Sequence, residues 1–179
     1  MATPDTTGMG RNRMDSDIAD YSGSDSDDFE ALSRDIYTVR SMRSDDLDAI
    51  IRIDAKLTGR NRRAYFDAKL KEVMVETGIR VSLVAEIDGS PAGYVMARVD
   101  FGEFGLTETT AVIDTLGVNP GHAHHGVAQA LLSQLMVNLG ALNVERIRTS
   151  VRWNNHQLLR FLDQQGFRPA QKLVLTKII

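Results

Sequence analysis

Cysteine is absent from the 179-residue chain, which excludes disulfides, thiolate metal sites and a cysteine nucleophile. No apolar run approaches the roughly 18 residues that a membrane span needs, so no membrane partner is expected. The opening MATPDTTGMGRNRM lacks the apolar stretch of a secretory signal, and a cytoplasmic location is the expectation that follows. No internal repeat is present. A stripe of alternating aromatic and basic residues is also missing, which argues against nucleic acid as a partner.

What remains is the composition of a soluble globular domain, 42% hydrophobic and 25% charged, in a chain long enough for one sizeable core. Its charge is unevenly spread. Of 24 acidic and 21 basic residues, 9 and 3 fall in residues 1–35, leaving 15 and 18 for the rest. The first segment, with SGSDSDDFE at its centre, is too poor in apolar residues to offset the entropy of ordering. The sequence therefore divides into a disordered acidic tail, 1–35, and a folded domain, 36–179.

Within that domain the pattern reads as alternating strands and helices. IYTVR alternates like a strand. SDDLDAIIRIDAKL offers Ser44 as an N-cap and apolar residues Leu47, Ile50, Ile51 and Ile53 at helical spacing. A basic turn, TGRNRR, leads to a second helix, AYFDAKLKEVMVET, that Gly78 ends. RVSLVAEIDGSPAGYVMARVDF is two strands around a hairpin signal, and TTAVIDTLGV is another strand. After Gly126, Ala128, Leu131, Leu132, Leu135, Met136 and Leu139 form one face of a helix that Gly140 stops. VERIRTSVRW reads as a strand, NNHQLLRFLDQQ as a helix with an asparagine cap, and KLVLTKII as a final strand. Hairpin strands followed by β-α units give a mixed sheet with helices on its faces, an α/β (α+β) class.

Three of the four histidines, His122, His124 and His125, stand just before Gly126 and the apolar-striped helix. Adjacent imidazoles cannot easily converge on one ion from a turn, and neither cysteine nor a well-spaced carboxylate completes a zinc site, so metal is not expected. A strand-to-helix junction instead presents free amides and the positive end of a helix dipole, which bind anions. Glycine permits close approach of a phosphate and the small Ala128 leaves the first turn uncrowded. The imidazoles either donate to that anion or stand in solvent while the backbone does the binding.

Residues 36–179 resemble the GNAT acetyltransferase superfamily. In that family a strand ending in V-x-P leads into R/Q-x-x-G-x-G/A, and this chain has Val118 and Pro120 followed by Ala123, His124, His125, Gly126, Val127 and Ala128. A second family signature, N-x-x-(A)-x-x-x-(Y)-x-x-x-G-F, matches NHQLLRFLDQQGF with Asn155, Gly166 and Phe167 in register. The resemblance implies a mixed, mostly antiparallel central sheet with flanking helices, acetyl-CoA as co-substrate, and an amine acceptor that is a small molecule or a protein. It places the cofactor against Leu116, Gly117, Val118, the Ala123–Ala128 turn, Gln129 and Asn155. Two departures stand out: Ala123 replaces the turn's first Arg or Gln, and Leu162 replaces the tyrosine that serves relatives as a proposed general acid.

Acetyl transfer needs a neutral amine, a polarised thioester and a thiolate that can leave. Asp114, four residues before Val118, is the candidate catalytic group, acting through water or by attracting the acceptor cation; the alternative is an ordinary polar strand residue. The acceptor is expected over Leu57–Phe66, where Arg60, Arg62, Arg63 and Tyr65 are candidate contacts and the cationic loop would favour a carboxylate or phosphate on the acceptor; the alternative, which the composition favours, is an ordinary solvated basic turn. Trp153 reads as packing. A homodimer stays open, and so does a second class of function, a non-catalytic acyl-CoA-binding sensor or assembly module.

Overall fold

The computed structural model describes residues 37–72, 81–103, 106–172 and 174–178. In chain order these form β1 (Thr38–Ser41), α1 (Leu47–Thr58), α2 (Arg63–Lys71), β2 (Leu83–Ile87), β3 (Ser90–Glu103), β4 (Leu106–Val118), α3 (Val127–Ala141), β5 (Arg146–Thr149) and α4 (His156–Gln164). The strands make one sheet in sequential order. Neighbours are antiparallel except β4 and β5, which run parallel across the α3 crossover. The α/β class and the mostly antiparallel sheet expected from the sequence are what the fold shows.

Local sequence explains the elements. β2 and β3 are joined by Asp88 and Gly89 alone, at φ 50° and 72°, the two left-handed residues of a tight hairpin turn whose twist matches the strands. β2 is apolar on both faces because helices cover both. Leu83 and Ala85 face one cluster with Val95, Ala97, Ile113 and the inner stripe of α3. Val84 faces the other with Tyr94, Met96, Ile50, Ile53 and Phe66. On the first side Leu131, Leu132 and Leu135 are fully buried, each contributing about 2–3 kcal/mol of hydrophobic stabilisation. The sheet thus lies between α1 and α2 on one face and α3 on the other.

Several sequence expectations shift. Ser44 lies inside a 3₁₀ turn and does not cap α1; Asp46 organises this corner, accepting from the Arg43 amide at 2.7 Å and from Arg40 at 2.7 and 2.8 Å. α2 ends at Lys71, while residues 73–80, including Gly78, lie outside the described residues. α3 passes through Gly140 to Ala141. β5 is only four residues long. The C-terminal KLVLTKII is not a strand in its described residues: Val174, Leu175 and Ile178 are exposed and pair with no neighbour. The tail lies outside the described residues, as does Ile36.

Candidate active site

The site begins where the sheet comes apart. β5 accompanies β4 only from Thr110 to Ile113, whereas β3 stays paired with β4 as far as Val118. Among the described residues β4 has no strand partner on its β5 side from Asp114 onward, and where the pairing of the two strands ends a slot runs along that edge. A bulge falls at the same point: Thr115 faces Met96 and Ile113 faces Ala97, so Asp114 is an extra residue with no backbone register partner on β3. A bulge of this kind puts two successive side chains on one face. Asp114 meets Lys69 of α2, and Thr115 bonds the Tyr94 phenol within the α1/α2 cluster. Leu116 and Val118 point the other way, against the α3 cluster.

Beyond Val118 the chain makes a turn with few internal constraints and several external ones. Asn119 donates its amide to the Ala92 carbonyl at 2.8 Å and accepts with its side chain from the Gly121 amide at 3.3 Å and from Lys56 at 3.3 Å. A proline-started 3₁₀ turn follows, after which His124 and Gly126 both take left-handed backbone, φ 62° and 84°. Gly126 is the residue before α3, and its carbonyl accepts the first helical bond from Ala130 at 2.9 Å. Among the described residues no backbone carbonyl accepts from the amides of His124, His125, Gly126, Val127 or Ala128, so this helix end presents a set of open donors.

What lets α3 begin so close to the sheet is Gly93 on β3. A Cβ there would stand 2.7 Å from Val127 Cγ1 and 3.1 Å from the Gly117 carbonyl. Val127 is itself buried, which leaves only its backbone for a ligand. Ala123, Ala128 and Gln129 are half-buried around the same turn, and His124 and His125 are exposed. Gly117 lies under the Tyr94 ring, where a Cβ would come within 2.6 Å. Asn155 caps α4, accepting from the Leu158 amide at 3.2 Å. The cofactor residues expected from sequence therefore gather at the end of β4 and the start of α3, with Asn155 at the start of α4. Among the described residues no three of His, Asp and Glu are grouped to share a metal ion.

On the α2 face, charges alternate. Asp114 bonds Arg98 through Oδ1 and Lys69, at 3.1 Å, through Oδ2. Lys69 also donates to Glu72 at 2.7 Å, and Arg98 and Arg148 both reach Asp100, at 3.2 and 3.1 Å. Burial would lower the Lys69 ammonium, but Glu72 and Asp114 carry it above the ordinary lysine value. Burial also raises the phenols of Tyr37 and Tyr65 and pushes Tyr94 up to about 12.

The basic loop is more constrained than its composition suggests. Arg62 pairs through two bonds with the buried carboxylate of Asp54, and Arg63 pairs with Asp48 at 2.5 Å. Arg60 is exposed, and among the described residues it bonds through its backbone alone, with the Thr58 hydroxyl. Tyr65 is 38% exposed beside this loop. Leu162, at the position where a phenol was sought, is 6% exposed and belongs to the α3-side core. Sequence reasoning missed Tyr37, Lys56, Lys69 and Arg98. Each reaches the site from a distant element, and only Asp54, an acid on the apolar stripe of α1, carried a local sign that it needed a cation.

Residues 47–167 match the profile of the acetyltransferase (GNAT) family. An N-alpha-acetyltransferase of Saccharolobus solfataricus is 27% identical over 143 residues, which are 76% of this chain and 83% of that one. A second, from Sulfurisphaera tokodaii, is 27% identical over 151 residues, 80% of this chain and 87% of its own. Among solved structures, the aminoglycoside N-acetyltransferase AAC(6')-Iy in complex with CoA superposes with a TM-score of 0.68 at 14% identity, covering 79% of this chain and 94% of that one. A transcriptional regulator from Bacillus halodurans C-125 gives the same TM-score at 15% identity, covering 79% and 99%. At such identities these two show a shared fold.

Proposed function

Since the chain belongs to the acetyltransferase (GNAT) family, we propose that the turn from Ala123 to Ala128 holds the pyrophosphate of acetyl-CoA and that the slot beyond Ile113 takes the pantetheine arm. The protein is an N-acetyltransferase, with acetyl-CoA as its co-substrate. Three features support the placement. The amides of His124 to Ala128 are open donors at a helix N-terminus, where the helix dipole favours an anion. The edge of Leu116 to Val118 lacks a strand partner on the slot side, leaving backbone groups for an amide-containing arm. Arg or Gln at position 123 is not needed for a cradle made of backbone, and Ala123 costs one polar contact.

The acceptor is proposed to be an α-amine at the N-terminus of a peptide or protein, and the observation that carries this is the state of Asp114. Both of its oxygens are engaged, by Arg98 and Lys69, so the carboxylate is already committed to a network of two cations. Its proposed part is to align the acceptor wall. An α-amine ionises near 7.7–8.0, against about 10.4 for lysine, so a sizeable share is already neutral near pH 7.5 and attacks the thioester directly in a ternary complex. The departing thiol, near 8.5, leaves without the phenol that Leu162 replaces. The two N-alpha-acetyltransferases that match three-quarters or more of the chain point to the same class of acceptor.

Thiol release from acetyl-CoA is measured with a lysine-free peptide bearing a free N-terminus, an N-blocked peptide bearing one lysine, and an aminoglycoside. The proposal expects turnover with the first. Turnover confined to the second or third overturns the acceptor class, and binding of CoA without turnover on any amine would make the domain an acyl-CoA sensor.

A further inference from the structure

The turn that receives the anion is held from behind by a residue far away in sequence. Tyr37 stands immediately before β1 and is 6% exposed, its ring packed into the cluster shared by β2, β3 and α3. Its hydroxyl donates to the His125 carbonyl at 2.5 Å, across 88 residues of chain. His125 lies between the two left-handed residues His124 and Gly126, where the backbone is least constrained by its own hydrogen bonds. The phenol is therefore a tertiary contact that holds this peptide plane from outside the turn.

The direction of that bond matters. No cis peptide is present among the described residues, and in a trans peptide the C=O and N–H point in opposite directions. Holding the His125 carbonyl toward Tyr37 turns the Gly126 N–H away from the core, to the open side of the turn. The same constraint sets where the following amides of Val127 and Ala128 begin. Freed from it, the His125–Gly126 peptide can rotate, and its donor then no longer converges with its neighbours.

We infer that Tyr37 is a positioning residue for the cofactor: its phenol holds the His125–Gly126 peptide so that the amides at the start of α3 face the pyrophosphate before it arrives. This rests on the reading of the turn as the pyrophosphate site. Tyr37 touches neither thioester nor amine, so its effect belongs to cofactor affinity and not to the transfer step. Preorganised donors bind an anion without the entropy of assembling them, and one net hydrogen bond corresponds to roughly tenfold in affinity.

The experiment compares full-length wild type with Tyr37→Phe, which removes one oxygen and keeps the ring. Calorimetry is run with CoA and with pantetheine, which lacks the pyrophosphate. Tyr37→Phe is expected to weaken CoA about tenfold and leave pantetheine unchanged, with kcat at saturating acetyl-CoA within twofold and the acceptor KM unaltered. If wild type prefers CoA to pantetheine and Tyr37→Phe keeps the full preference, the inference falls while the reading of the turn survives. If wild type binds the two equally, the turn is not the pyrophosphate site and both fall. A variant whose ligand-free melting temperature collapses, or whose kcat drops along with its affinity, assigns Tyr37 to folding and overturns the inference too.

Discussion

Asp54 and Arg62 form a two-bond ion pair, at 2.9 and 2.5 Å, that closes the corner between α1 and α2. The carboxylate is 2% exposed, and the guanidinium continues over the rings of Tyr65 and Phe66, at 5.1 and 5.5 Å from their centroids. A cation that a composition-based reading gives to the acceptor is thus committed to the fold, and among the described residues Arg60 is the arginine of this loop whose side chain pairs with no carboxylate.

Arg62→Ala should destabilise the protein by about 3–5 kcal/mol, because it strands a buried carboxylate. Arg60→Ala should leave stability within about 0.5 kcal/mol and change only the acceptor KM. Urea unfolding of both variants checks this. Equal, small losses would mean that Asp54 finds another partner.

Gly126→Val is expected to cut CoA affinity more than about 100-fold while the domain still folds. The residue sits at φ 84°, which a β-branched side chain adopts only with strain, so the turn would shift and carry its open amides with it. Calorimetry on a variant with native circular dichroism decides the matter. Affinity equal to wild type would move the pyrophosphate elsewhere.

For Asp114→Asn the expected result is a rise of about tenfold in acceptor KM with CoA affinity nearly unchanged, since the amide still accepts from one of its two cations but no longer holds both. Steady-state kinetics against a free N-terminal peptide separates this from proton transfer. A fall in kcat of about 10²-fold or more, with KM unchanged, is what a general base would give.

Stability should decline at alkaline pH. Burial pushes the Tyr94 phenol up to about 12, so the folded state keeps its proton while the unfolded chain loses it above about pH 10. A raised folded value gives stability that is present below the unfolded pKa and lost as pH rises through the folded one. The loss across pH 10–12 is about 2–3 kcal/mol from this group. Lys69, also raised, acts in the same direction. Tyr94→Phe should flatten the alkaline limb of a stability-versus-pH curve measured by urea unfolding, and an unchanged limb would place the alkaline sensitivity in other groups.

The strand, turn and helix from Val112 to Leu139 were legible in the sequence because each carries its own signal: β-branched residues, then glycine, then apolar residues at helical spacing. The hairpin at Asp88 and Gly89 was legible for the same reason. What could not be read locally was register. Nothing in AVIDTLGV shows that Asp114 is unmatched, since that depends on where Met96 and Ala97 fall on β3. The pairing of Arg62 with Asp54 was half legible, because Asp54 lies on the stripe of Ile50 and Ile51, where an acid demands a partner. KLVLTKII has the composition of a strand, but a strand also needs a neighbour, and a propensity does not supply one.

The extra residue in β4 also bears on how freely this site can vary. With Asp114 removed, Val112, Ile113, Thr115 and Leu116 would still alternate between the two faces and keep their partners Arg98, Ala97, Met96 and Val95. The core's alternation is thus written entirely in the other residues. Position 114 lies outside that reading frame, so mutation, and even deletion, can alter the charged network with Lys69 and Arg98 without moving a core side chain to the wrong side of the sheet. Between Thr115 and Val118, where β4 and β3 pair one residue to one, an insertion or deletion would invert every side chain beyond it.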